Sequence, residues 1–186
     1  MRKPSQTYDL PIPEDYKIAT VMQHDKANYE SSLIWLYLGA VERHPDFAKI
    51  GITMGDLSTR SSSSANPDYH LFCAFQCDQR TTKEQLESIE QSALNYLDNV
   101  FGQEKRARHK ESQRLSECYY GINFTEFFLS LHDYLLDNHV RYFQTVGYYN
   151  DQGFEEAYSL SCYFNTLVSP IVQSRFIELI QRPTWQ

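Results

Sequence analysis

Four side chains along this 186-residue chain are of types that can act together on a phosphate ester: Tyr37, Lys49, Arg60 and Glu90. Hydrolysis of a phosphodiester needs a group to remove a proton from water. It also needs positive charge at the phosphate and help for the leaving oxygen, much of which a metal ion can supply. A single carboxylate such as Glu90 can hold a hard divalent cation if water and phosphate fill the remaining positions. Arg60 can clamp a phosphate with two parallel hydrogen bonds. A tyrosine close to cations loses its proton more easily and can serve as a general base. Lys49 can contact phosphate as a point charge or lower the pKa of Tyr37. Taken singly, each has an ordinary reading: a packed strand aromatic, a snorkelling lysine, a surface arginine, a solvated helix glutamate.

What joins them is the elements that carry them. Residues 32–41 and 48–53 are rich in β-branched and aromatic side chains and read as strands, with "ERHPDF" as the loop of an antiparallel hairpin. Tyr37 and Lys49 then sit on neighbouring strands, 12 residues apart, and Gly51 allows close approach of backbone or substrate. A helix is predicted over 56–64, placing Arg60 11 residues after Lys49, and a third strand over 70–77. The clearest helix is 82–100. Thr81 or Thr82 caps it, Leu86, Ile89, Ala93, Leu94 and Leu97 form its apolar stripe, and Gly102 ends it. Glu90 lies on this helix. A further helix over 124–138 is capped by Asn123 or Thr125. One or two more helices are expected beyond Gly147, the last starting at Ser169-Pro170 and burying Val172, Phe176, Leu179 and Ile180.

This ordered set resembles the GIY-YIG nuclease superfamily, in the phage and bacterial branch whose second motif is written Lys-Ile-Gly-x-Thr. Tyr37 of "WLY" stands where the family has the tyrosine of GIY, and Lys49-Ile50-Gly51 where it has YIG. Arg60 matches the family arginine and Glu90 the helix glutamate. The segment "SECYYGI" is similar to the acidic-then-aromatic stretch that follows. The first motif departs from the pattern as Trp-Leu-Tyr, and Lys49 replaces the second tyrosine. The resemblance implies an α+β fold, an α/β sandwich with a small three-stranded antiparallel sheet flanked by helices. It divides the chain into an N-terminal extension (1–31), a nuclease-like domain (32–130) and a helical C-terminal extension (131–186) packed on that domain. It further implies a Mg²⁺- or Mn²⁺-dependent endonuclease acting on DNA, with Tyr37, Lys49, Arg60 and Glu90 catalytic and Glu90 the metal ligand. His70 and Asn123 are two further candidates. The alternative is a weak or inactive copy that binds nucleic acid or a protein partner, as a phage or bacterial effector would.

Charge and composition bound the partners. The formal net charge is -7, which argues against a general nucleic-acid coat. Loop 104–114 reverses that sign locally. Lys105, Arg106, Arg108, Lys110 and Arg114 stand against Glu104 and Glu111, a cluster of the kind that binds backbone phosphates. No apolar run is long enough for a membrane helix and no leader follows Met1, so no membrane association is expected. The expected location is the cytoplasm of a bacterial or phage-infected cell, with homo-oligomer or protein partners open. The four cysteines read as reduced thiols; Cys73 and Cys77 lack a second close pair, so a zinc site is not expected.

Overall fold

Alternating side chains on Trp35–Val41 (β1) place Ile34, Leu36 and Leu38 on one face and Trp35, Tyr37 and Gly39 on the other, and both faces are buried. Such a strand belongs in the middle of a sheet. The computed structural model describes residues 7, 8, 11, 22, 23, 26, 32–57 and 66–184. In it β1 lies between His44–Thr53 (β2) and Tyr69–Gln76 (β3), antiparallel to both. This is the expected three-stranded unit, except that β2 begins at His44. Val41 pairs with His44, so the turn has only two residues, Glu42 and Arg43, and Pro45 sits within β2. The helix predicted over 56–64, with Arg60, lies largely outside the described residues. In the N-terminal extension, Met22, Gln23 and Lys26 are helical.

The helices form where capping and periodicity place them. Helix α1, Lys83–Phe101, is capped by Thr82 in a reciprocal box with Gln85, and buries Leu86, Ile89, Ala93, Leu94 and Leu97. Gly102 closes it with φ of 94°, in the left-handed region that suits glycine. Helix α2, Phe124–His139, is capped by Asn123, and helix α3, Pro170–Ile180, by Ser169. In α3 only Phe176 and Ile180 are buried. Val172 and Leu179 are exposed, contrary to the predicted stripe. Helices α1 and α2 pack together over the Leu36–Leu38 face. There Phe72, Phe75, Phe127, Phe128 and Phe176 join the core.

The sheet is wider than the sequence suggested. Arg106–Arg108 (β4), Leu115–Tyr119 (β5) and Cys162–Phe164 (β8) extend it to six strands among the described residues, in the order β4-β5-β2-β1-β3-β8. The C-terminal extension is also not simply helical. Thr145–Tyr149 (β6) and Glu155–Leu160 (β7) form a hairpin, joined by Arg182–Pro183 (β9) in a second, three-stranded sheet. The tight turn from Asn150 to Phe154 holds Gly153 at a φ of 81°. The extension is tied down from inside: the buried His132 of α2 accepts a hydrogen bond at Nε2 from the backbone N–H of Leu160, 3.2 Å away. No described helix is long and apolar enough to cross a membrane. All four cysteines are free thiols.

A buried ion pair joins α1 to the β4–β5 hairpin. Arg106 Nη1 lies 3.0 Å from Asp98 Oδ2, and both side chains are almost fully buried. Arg106 Nε donates to the carbonyl of Ser116, and the Tyr119 hydroxyl donates to Asp98 Oδ1 at 2.6 Å. Arg106 is therefore not part of a phosphate-binding surface, as the charge count had suggested. Lys105, Arg108, Lys110 and Arg114 remain exposed. Removing one partner of such a pair strands the other charge. Arg106→Ala should lower unfolding free energy by roughly 3–5 kcal/mol. Lys110→Ala, on the exposed turn, should change it by less than about 0.5 kcal/mol. Urea denaturation of both variants checks this; equal effects would show that Arg106 is not a structural tie.

Candidate functional site

The distinctive feature lies where β2 and β5 part. Ala48 pairs with Tyr119 and Lys49 with Cys118, and there the ladder stops, while β5 keeps pairing with β4 along its other edge. Beyond the fork lie Ile50 and Gly51 on one strand and Glu117 on the other. Glu117 precedes Tyr119 by two residues and so shares its face, the one turned toward α1, where the Tyr119 hydroxyl also donates to the carbonyl of Leu94. Glu90 lies one helical turn before Leu94.

Glu90 carries the strongest carboxylate perturbation among the described residues. Burial raises its pKa from 4.5 to about 7, the charges of Glu117 and Glu87 add to the rise, and Arg106 and Lys49 partly offset it. Lys49 acts on Cys118 in the same way. That thiol is raised by burial first, and the Lys49 charge opposes the rise. Lys49 is half-buried, with its Nζ 5.7 Å from the centre of the Tyr69 ring, a cation–π contact.

Tyr37 is placed by glycine. It lies opposite Gly51 in the β1–β2 register, and a Cβ at position 51 would collide with the Tyr37 ring and hydroxyl. The glycine of the Lys-Ile-Gly triplet thus lets an aromatic ring lie across β2. Gly39 does the same for Tyr69. Tyr37 is only 5% exposed, in a cluster with Trp35, Leu71 and Ala74 against which Leu33 and Leu57 pack.

The structure therefore brings Lys49, Glu90 and Glu117 into one electrostatic group, while Tyr37 lies on the face of the sheet opposite the one α1 covers. Arg60 lies outside the described residues. His70 and Asn123 are elsewhere. His70 pairs with Ala40 near the β1–β2 turn, and Asn123 caps α2, its Oδ1 accepting from the N–H of Glu126 at 3.1 Å. Glu117 was not singled out from the sequence as a site residue. Its signal was its place in "SECYYGI", the segment carrying the resemblance.

Among the described residues no three His, Cys, Asp or Glu side chains gather to hold a metal ion. Glu90 and Glu117 are the oxygen donors at the fork. Two carboxylates suit Mg²⁺ or Mn²⁺, which keep several waters and take substrate phosphate oxygens for the rest. Compared with known proteins, the chain matches no family model, and no curated protein or solved structure is significantly similar to it.

The raised pKa of Glu90 has a consequence for stability. Its folded-state value lies above that of the unfolded chain, so the associated stability is present below pH of about 4.5 and lost as pH rises through about 7. Ionised Glu90 at pH 8 costs on the order of 1–2 kcal/mol, allowing for solvent around this partly exposed group. Glu90→Gln should therefore stabilise the protein at pH 8 by about that amount. At pH 4 it should leave stability nearly unchanged. Thermal melts of both proteins across pH check this, and equal melting curves at pH 8 would contradict it.

Proposed function

We propose that the protein is a divalent-metal-dependent endonuclease that hydrolyses DNA phosphodiester bonds, with a catalytic centre of the GIY-YIG kind. The observation that carries the reading is the group at the fork. A half-buried carboxylate with pKa about 7 lies in the field of a second carboxylate and a lysine. Strongly perturbed titratable groups where structural elements part are the usual mark of a functional site.

In this reading Glu90 and Glu117 would hold the cation. When bound, that cation supplies Lewis-acid charge at the phosphate and lowers the pKa of water. Lys49 adds a point charge at the phosphate. In its deprotonated form Tyr37 takes the proton of the attacking water, and Gly51 leaves the space in which its ring lies over β2. Arg60, matched by sequence alone, adds a second phosphate contact. Lys105, Arg108, Lys110 and Arg114 flank the fork on the β4–β5 arm and would bind phosphates beyond the cleaved bond.

A second reading is a DNA-binding or protein-binding protein that has lost cleavage. The burial of Tyr37, 5% exposed, favours it, as a packed ring cannot reach water unless the surface above it opens.

Incubation with plasmid, single-stranded and branched DNA in Mg²⁺ or Mn²⁺ separates the two. The parent should nick or cut, and Glu90→Ala should abolish cleavage while the protein stays folded. Tyr37→Phe, which deletes only a hydroxyl, should slow turnover by about 10²-fold or more. Undiminished Tyr37→Phe activity across pH would reduce Tyr37 to packing. A parent inert with every metal would leave the binding reading.

DNA affinity measured against salt tests the arm separately. Replacing Lys105, Arg108 and Lys110 together by Ala should flatten the slope of log affinity against log salt by about 2–3. An unchanged slope would remove the arm from the interface.

A further inference from the structure

A cavity of about 510 Å³ opens at the β1–β2 turn, between the end of the sheet and the first turn of α2. None of the fork residues lines it. Its floor is aromatic: Phe72 meets Phe124 and Phe176 edge to face, each with ring centres 4.9 Å apart. His44 and His70 both line it. Among the described residues the charged side chains of its lining are Glu42 and Asp46, both exposed, and no lysine or arginine lines it.

These features define the chemistry of an occupant. Aromatic walls with a few polar groups at the rim suit a flat ring system. Two carboxylates without a basic residue disfavour a phosphate and accept hydrogen bonds from an amine. Imidazoles can both donate to and accept from ring nitrogens. We propose that this cavity binds an unstacked nucleobase bearing an exocyclic amine, adenine above all, with its sugar and phosphate directed outward. The choice of a nucleobase among aromatic amines rests on the nuclease reading. Base-specific recognition of unpaired strands uses this combination of aromatic stacking and edge hydrogen bonding. The cavity would then hold a splayed base of the substrate strand at a distance from the fork.

The test is titration of the full chain with adenosine, inosine, adenosine monophosphate and phenethylamine, followed through the NMR signals of the His44 and His70 rings. Adenosine should shift both signals saturably, and inosine, which replaces the amine by a carbonyl, should bind about tenfold more weakly. The monophosphate and phenethylamine should also bind more weakly than adenosine. Ala40→Leu should fill the cavity and abolish the shifts. The double variant Glu42→Gln/Asp46→Asn alters only exposed groups. It should remove the preference for adenosine over inosine. No saturable shift up to the solubility limit overturns the proposal. So does a monophosphate or phenethylamine that binds as tightly as adenosine, or a preference that survives the double variant. Glu90→Gln should bind adenosine as the parent does. A protein that binds adenosine but cuts no DNA would overturn the nuclease reading alone, and one that cuts DNA but binds no adenosine would overturn this inference alone.

Discussion

The buried pair of Arg106 and Asp98 is the constraint on which the candidate site depends. Asp98 lies near the C-terminal end of α1, and Arg106 opens the β4–β5 hairpin. Joining them fixes the hairpin against the helix. The Tyr119 hydroxyl and the Ser116 carbonyl satisfy what the pair leaves over, so the charges are buried with partners. β5 pairs with β2 over two residues, and beyond them Glu117 stands at the fork in the field of Glu90.

The fork carries an electrostatic tension. Elsewhere among the described residues most large buried groups are aliphatic or aromatic, or polar with a partner such as His132, although the buried Trp35 indole N–H has no hydrogen-bond partner. At the fork, Glu87, Glu90 and Glu117 oppose one another, and Arg106 and Lys49 compensate only in part. A sequence selected for stability alone would place a neutral residue at position 90. Retaining an ionisable one there fits a site whose charge is completed by a ligand. The close passage of Tyr37 over Gly51 is a second local constraint, since any other residue at 51 would displace the ring.

The two ends of the β1–β2 hairpin differ in kind. The fork end offers carboxylates and a lysine. The turn end offers aromatic walls and two acidic side chains without a basic one, suited to a neutral ring. Both are set by the same antiparallel register, so a strand slip of one residue would exchange the faces of Tyr37 and Leu38 and dismantle both.

Much of this was legible in the chain. The apolar stripe of α1, the caps at Asn123 and Ser169, and the three central strands follow from local periodicity and capping chemistry, which act within a few residues. The extended character of "LSECYYGI" was legible and became β5, whereas β4 and β8, with three residues each, carry no periodic signal and exist because a neighbouring strand offers a ladder. The hairpin of β6 and β7 was missed although "YYNDQG" holds a turn signal, and Val172 and Leu179 were assigned to a core that α3 does not bury them in. Tyr37, Lys49 and Glu90 were nominated by the ordered resemblance to a nuclease family, and Gly51 by its lack of a side chain. Only the tertiary structure withdrew Arg106 into an ion pair, moved His70 and Asn123 to the other end of the hairpin and placed Glu117 near Glu90. The physical reason is that the sequence by itself determines which groups are ionisable and which segments favour helix or strand. Burial, pairing and pKa depend on residues far apart in the chain, and these meet only when the sheet closes.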